Sequence, residues 1–137
     1  MNLSQNFTLE EMIYSPTARL RGIDNTPDTA QLENLKNLCQ KILQPIRDRL
    51  GAPLRVTSAF RSRRLNNAVG GAKTSQHLFG EAADISCHDN TLLWDLICRM
   101  LLLGEITVGQ LIDEKGLSWI HISLPTIGHR NQILHIK

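Results

Sequence analysis

The segment Ser75–Asp84 contains the two residues best suited to chemistry in this chain, His77 and Asp84. Imidazole nitrogens and carboxylate oxygens are both zinc ligands, and each must lie about 2.0–2.2 Å from the ion. Seven residues of continuous helix rise about 10.5 Å, so a single helix cannot bring both side chains to one metal. A turn must therefore reverse the chain between them, and Gly80 is well placed to form it because glycine readily adopts left-handed conformations.

His121 is the third candidate ligand, and it lies in the mostly apolar sequence Trp119–Ser123. On its own, a histidine centred in an apolar strand is more typical of a structural side chain than of a metal ligand. Two histidines, one carboxylate and a water molecule would, however, form the open tetrahedral site of a hydrolytic zinc enzyme. The residues alone leave both interpretations open.

Hydrophobic periodicity and capping signals predict the elements that must position these side chains. Helices are predicted from Thr8 to Tyr14, from an N-cap at Thr26 to Leu50 with a kink at Pro45, at 62–69 and at 89–103. Strands are predicted at 54–58, 82–86, 108–113 and 118–123, the last two joined as a hairpin around Gly116, whereas 72–80 reads as loop and the tail at 131–136 is ambiguous. This order of elements favours an α+β fold with a mainly antiparallel sheet.

Composition narrows the class of protein. A chain of 137 residues, with 42% hydrophobic and 20% charged residues, suits a single domain over residues 1–137, with 1–26 forming an N-terminal helix and loop that lead into it. The net charge of +2 is too small to indicate nucleic-acid binding, and no apolar run is long enough to span a membrane.

The three cysteines form no Cys-x-x-Cys pair, which argues against a disulfide framework or zinc finger. The polar N-terminus predicts synthesis in the cytoplasm without a signal peptide.

The residues around His77 resemble a known family motif. The pattern Ser-x-His-x-x-Gly-x-Ala-x-Asp, from Ser75 to Asp84, is similar to the zinc motif of the D-Ala-D-Ala carboxypeptidase family. Trp119–Ser123 resembles that family's second motif, which carries the last zinc ligand, and Thr57–Ser62 resembles its upstream arginine segment. The family includes phage endolysins and D-alanyl-D-alanine dipeptidases and shares its fold with the hedgehog signalling domain. The segments 7–11 and 24–27 look like its phage and prophage branch.

This resemblance implies a set of functional residues. Zinc would be held by His77, Asp84 and His121 in a sheet flanked by helices, as in the hedgehog/DD-peptidase fold. Arg61 best matches the family arginine, and its planar guanidinium suits a substrate carboxylate or a developing oxyanion. Ser75 and Gln76 would hydrogen-bond substrate or orient His77, although ordinary loop polarity explains them equally well.

The general base is the point at which the sequence departs from the family pattern. Several relatives carry Glu or Asp three residues before the last histidine, where this chain has Ser118. Glu114, at the end of the preceding strand, is the predicted substitute. Asp113 is adjacent, but strand alternation should direct it to the opposite face.

Together these features predict a zinc metallopeptidase that hydrolyses an amide bond in peptidoglycan stem peptides, as a D,D-carboxypeptidase or an endolysin-type endopeptidase of phage or prophage origin. It is expected to act as a monomer, without nucleic-acid or membrane partners, on the cell wall after release or as part of a virion. The alternative is a non-catalytic, zinc-containing module of the same fold that binds a peptide or a partner. Ser118 at the usual acid position is the feature that favours this alternative.

Overall fold

The N-terminal part of the chain is a small hairpin followed by short helices. The computed structural model describes all residues from 1 to 137. Strands β1 (Asn2–Ser4) and β2 (Phe7–Thr8) pair antiparallel and lead into α1 (Leu9–Ile13) and α2 (Pro16–Arg21). The Thr8 hydroxyl accepts a hydrogen bond from the Glu11 amide, which confirms the predicted start of the first helix.

A long helix follows, formed by α3 (Thr29–Leu38), a π-helical segment (Cys39–Leu43) and α4 (Gln44–Leu50). Pro45 explains the π-helical segment because proline has no N–H and its ring collides with the carbonyl group four residues earlier. The predicted kink at Pro45 stays a prediction, because the observed irregularity is the π-helical segment that precedes Pro45.

The predicted N-cap of this long helix was wrong. The cap is Asp28, whose carboxylate accepts from the Gln31 amide while the Gln31 side chain accepts from the Asp28 amide. The Thr26 hydroxyl instead donates to Asp24 Oδ1 at 2.6 Å, and the Thr26 amide donates to the same oxygen at 3.0 Å. A local turn at Asp24 therefore uses the Thr26 side chain, which the sequence pattern predicted as the helix cap.

The C-terminal half forms the main sheet. Its elements are β3 (Arg55–Ser58), α5 (Arg63–Ala68), β4 (Ala82–Ser86), α6 (Asn90–Leu102), β5 (Gln110–Glu114), β6 (Trp119–Ser123) and β7 (Gln132–Ile136). The strand order is β3-β4-β6-β5-β7, and every pair is antiparallel except β5 with β7. The ambiguous tail is thus a parallel edge strand. The α+β class with a mainly antiparallel sheet flanked by helices is confirmed.

The two faces of the sheet have different roles. Ile85 on β4 and Ile120 and Ile122 on β6 are fully buried in the main hydrophobic core, which also contains residues of the long helix and α6. Asp84 and His121 alternate with these residues and therefore project from the opposite face. None of the helices is both long enough and apolar enough to cross a bilayer.

Candidate active site

Two of the three predicted ligands are cross-strand neighbours. Asp84 on β4 pairs directly with His121 on β6, and Asp84 Oδ1 lies 3.3 Å from His121 Nδ1. The antiparallel register therefore brings a carboxylate and an imidazole to one point of the sheet surface.

His77 reaches the same point from a tight turn. It lies in a 3₁₀ turn, Gln76–Phe79. Ser75 caps the start of this turn, because its hydroxyl accepts a hydrogen bond from the His77 amide. Gly80 ends the turn with φ +73°, which confirms the predicted chain reversal. A Cβ atom at Gly80 would also come within 2.5 Å of the Gln31 carbonyl oxygen on α3. The position therefore requires glycine both for its conformation and for close helix packing.

The orientation of the His77 ring is fixed by the backbone. Its Nδ1 atom lies 2.6 Å from the Ala59 carbonyl oxygen, and only 3% of the residue is exposed. A carbonyl oxygen can only accept, so Nδ1 carries the proton. Nε2 consequently faces Asp84 Oδ1, 3.4 Å away.

These three side chains have the geometry of a metal site. One ligand atom from each of His77, Asp84 and His121 lies within 4.8 Å of the other two. Asp84 Oδ1 lies 3.3 Å from His121 Nδ1 and 3.4 Å from His77 Nε2. These distances are long for hydrogen bonds, but they match the separation of about 3.4 Å expected between two ligand atoms of a tetrahedral zinc ion. Burial opposes ionisation of Asp84, but His121 and His77 outweigh it and hold the pKa of this carboxyl well below its usual range. Two imidazoles and an ionised carboxylate form a donor set that suits zinc.

Arg61 lies beside this cluster and is held in place by several partners. Its Nη2 atom is 3.7 Å from Asp84 Oδ2, Nε donates to the Ser58 hydroxyl, and Nη1 donates to Asn66 Oδ1. Burial lowers the pKa of Arg61 and the Asp84 charge opposes this shift, but a guanidinium remains cationic at neutral pH. The predicted arginine is therefore a fixed positive charge at the candidate site.

The cluster opens into a cavity of about 770 Å³, here called the metal-site cavity. Ile112 pairs with His121 and Glu114 pairs with Trp119, so alternation places all four on the cavity side of the sheet. Glu114 and Arg61 both line this cavity, as do Ser75, Gln76 and the three candidate ligands. The predicted site residues are thus brought together in one place.

A family model described as Peptidase M15 matches residues 5–123. The chain belongs to this family. The matched range contains all three candidate ligands together with Arg61 and Glu114, and membership supports a peptidase activity. The comparison with curated proteins found no match. The resemblance to the phage and prophage branch stays a prediction.

Within this member of the peptidase M15 family, the acidic residues around the β5–β6 hairpin have distinct positions. Asp113 faces away from the cavity, as predicted: Oδ1 accepts from the Leu117 amide at 2.6 Å, and Oδ2 lies 3.2 Å from His135 Nδ1. Ser118 is exposed and donates its hydroxyl to the Lys115 carbonyl rather than lining the cavity. Glu114 is therefore the hairpin carboxylate that faces the candidate ligands.

Gln76 has an unusual environment at this candidate site. Its Oε1 and Nε2 atoms are buried and have no hydrogen-bond partner within the chain. Leaving a buried polar group unpaired costs about 1–3 kcal/mol, so such a group is normally completed by a water or a ligand. This supports a polar role for Gln76 beyond ordinary loop polarity.

Lys115, Trp119 and His129 are among the cavity residues that the sequence interpretation did not predict as site residues. Lys115 Nζ lies 5.6 Å from the centre of the Trp119 ring, and His129 Nδ1 lies 2.9 Å from Gln132 Oε1. Trp119 could have been found, because it lies two residues before His121 and strand alternation places both on one face. His129 could not, because the pairing of β7 that brings it near the site is not visible in the local sequence.

Proposed function

We propose that this protein is a zinc-dependent peptidase that hydrolyses an amide bond in peptidoglycan stem peptides. The observation that carries the proposal is the convergence of His77 Nε2, Asp84 Oδ1 and His121 Nδ1 beside a cavity large enough for a peptide. Family membership supports peptide hydrolysis as the reaction.

His77, Asp84 and His121 would hold the zinc ion, leaving its fourth position open for water. The hydrogen bond from His77 Nδ1 to the Ala59 carbonyl fixes the ring and leaves Nε2 as the atom that can coordinate zinc. Zinc bound there would lower the pKa of its bound water and would act as a Lewis acid on the scissile carbonyl group.

Glu114 is the proposed general base. Its carboxylate faces the metal-site cavity, diagonally across the β5–β6 pair from His121. It would accept a proton from the attacking water and return that proton to the leaving amine nitrogen, so that the products are a carboxylic acid and a free amine.

Arg61 is the proposed oxyanion or carboxylate partner. Its hydrogen bonds to Ser58 and Asn66 hold the guanidinium before substrate arrives, so little reorganisation is needed during the reaction. Ser75 and Gln76 would add hydrogen bonds to the substrate at the same wall of the cavity.

The resemblance of the sequence motifs to phage and prophage relatives supports a role in cell-wall degradation, either as a carboxypeptidase or as an endolysin-type endopeptidase. The protein would then act on the wall after release from the cell or from a virion.

Release of new amino termini from purified peptidoglycan tests the proposal. Zinc-loaded wild-type protein should release them, and both chelation and His77→Ala should abolish the release. His88→Ala is the matched control, because His88 is exposed and lies outside the metal-site cavity, and it should match wild type.

The second candidate is a non-catalytic zinc module of the same fold. It is supported by Ser118, which occupies the position of the usual acid and points its hydroxyl at the Lys115 carbonyl. Protein that binds zinc fully but releases no amino termini from any peptidoglycan would favour this function over the peptidase.

A further inference from the structure

A second, smaller cavity adjoins the metal-site cavity. It measures about 300 Å³, and its walls include both Arg61 and Val69, which also line the metal-site cavity. The remaining walls come from the start of α2, the end of β3 and one residue of α5: Ser15, Pro16, Thr17, Thr57, Ser58 and Leu65. We call this space the hydroxyl cavity because four of those six side chains carry hydroxyl groups.

Arg61 contacts both cavities, through a hydrogen bond to one wall and an ion pair with another. Nε donates to Ser58, a wall of the hydroxyl cavity, while Nη2 faces Asp84 in the metal-site cavity. The side chain is only 15% exposed, so it is a fixed wall common to both spaces rather than a mobile surface group. Val69, which is 44% exposed, forms the shared rim where both cavities meet solvent.

The two cavities differ in charge. Lys115, Glu114 and Asp84 give the metal-site cavity charges of both signs. The hydroxyl cavity has no charged wall except Arg61.

Ser15 and Ser58 each accept one hydrogen bond within the chain, and Thr57 donates one to the Asp84 carbonyl. The remaining donor and acceptor capacity of these hydroxyl groups complements the N–H and C=O groups of an uncharged peptide segment.

We propose that the hydroxyl cavity is a subsite for an uncharged segment of the same peptide whose scissile bond lies in the metal-site cavity. This inference rests on the proposed peptidase function. A chain that occupies both spaces extends past Arg61, so the enzyme should prefer long peptides to terminal dipeptides.

The test compares hydrolysis of stem peptides of increasing length by zinc-loaded protein. For wild type, kcat/KM should rise about 10-fold or more from the shortest peptide cleaved to the pentapeptide. Thr17→Phe fills the hydroxyl cavity and should remove most of this rise while leaving the rate on the shortest peptide unchanged. In Val69→Phe, at the rim shared by both cavities, the rise should also be lost, and the rate on the shortest peptide should fall as well because Val69 also lines the metal-site cavity.

Thr91→Phe is the matched control. Thr91 is the second residue of α6, as Thr17 is of α2, but it lines a different cavity that shares no wall residue with the metal-site cavity or the hydroxyl cavity. This variant should show the wild-type dependence on length, and circular dichroism should show that all three variants are folded.

A separate binding measurement does not depend on turnover. Adding the pentapeptide to zinc-loaded Glu114→Gln protein should shift the backbone amide NMR signals of Thr17 and Thr57, whereas the shortest peptide should not.

Three outcomes would overturn the inference. The first is that wild-type protein hydrolyses peptides of every length with equal kcat/KM. The second is that both Thr17→Phe and Val69→Phe keep the wild-type dependence of kcat/KM on peptide length. The third is that the amide signals of Thr17 and Thr57 do not shift when the pentapeptide binds. In each case the peptidase assignment would survive. If no peptide of any length were cleaved, the proposed function itself would fail and the subsite would fail with it.

Discussion

Asp84 and His121 lie directly opposite each other on the antiparallel strands β4 and β6, with Asp84 Oδ1 3.3 Å from His121 Nδ1. A slip of one residue in this register would move either side chain to the other face of the sheet. The register is fixed by the buried neighbours Ile85 and Ile120, which are also opposite each other. The hydrophobic core therefore determines the geometry of the candidate metal site.

Zinc content should depend on the three candidate ligands. Wild-type protein should bind about one zinc ion, and Asp84→Asn, which keeps the size of the side chain but removes its charge, should bind almost none. Metal analysis after dialysis measures this. Asp95→Asn, on the exposed side of α6, is the control and should retain zinc. Full occupancy in the Asp84→Asn variant would contradict the ligand assignment.

Substitution of Glu114 should lower the catalytic rate, whereas substitution of Asp113 should lower only the stability. Glu114→Gln should lower kcat by about 10²–10⁴-fold with zinc retained, because it removes the proposed proton acceptor. Asp113→Asn should keep its rate but lose about 1 kcal/mol of stability, because it weakens the contacts with the Leu117 amide and His135. Steady-state kinetics and thermal unfolding distinguish these effects, and an undiminished rate in Glu114→Gln would exclude it as the base.

Arg61→Lys should reduce kcat/KM by about 10–100-fold, which corresponds to about 1.4–2.7 kcal/mol of transition-state stabilisation. Lysine keeps the charge but lacks the planar group that contacts Ser58, Asn66 and Asp84 together. Zinc content should not change. Arg64→Lys, an exposed position of α5, should behave as wild type. Equal kinetics for the two variants would remove Arg61 from the proposed mechanism.

Gly71→Ala should disturb Arg61 without altering a ligand. A Cβ atom at Gly71 would overlap Asn66 Oδ1 and lie 2.8 Å from Arg61 Nη1. Asn66 cannot easily yield, because it is buried and also donates to the Ala72 carbonyl. We expect a loss of about 1–3 kcal/mol of stability and a fall in kcat/KM. Gly128→Ala has no neighbour within 4 Å and is the control; if both variants unfolded at the wild-type temperature, the close packing at Gly71 would be disproved.

Much of the site could be predicted from local sequence. The seven-residue spacing of His77 and Asp84 required a turn, and Gly80 provides it with a left-handed conformation. Strand alternation separated Glu114 from Asp113 correctly. These features depend on near neighbours in the chain, where backbone geometry restricts the alternatives strongly.

Other features depend on contacts between distant segments. The misplaced helix N-cap is an exception, because it arises from a local contact: the Asp24 carboxylate accepts from the Thr26 hydroxyl two residues later, and Asp28 caps the helix. The parallel pairing of β7 with β5 and the approach of His129 to the cavity depend on tertiary packing that no short window of sequence displays. The hydroxyl cavity likewise joins α2 to β3 across a long stretch of chain.

Mass spectrometry of muropeptides incubated with the zinc-loaded protein tests the central claim most directly, because it reports both hydrolysis and the bond that is cut. We predict products that differ from substrate by the addition of one water across a single stem-peptide amide, and their absence with His77→Ala. An unchanged muropeptide profile with fully zinc-loaded, folded wild-type protein would contradict the assignment of this protein as a cell-wall peptidase.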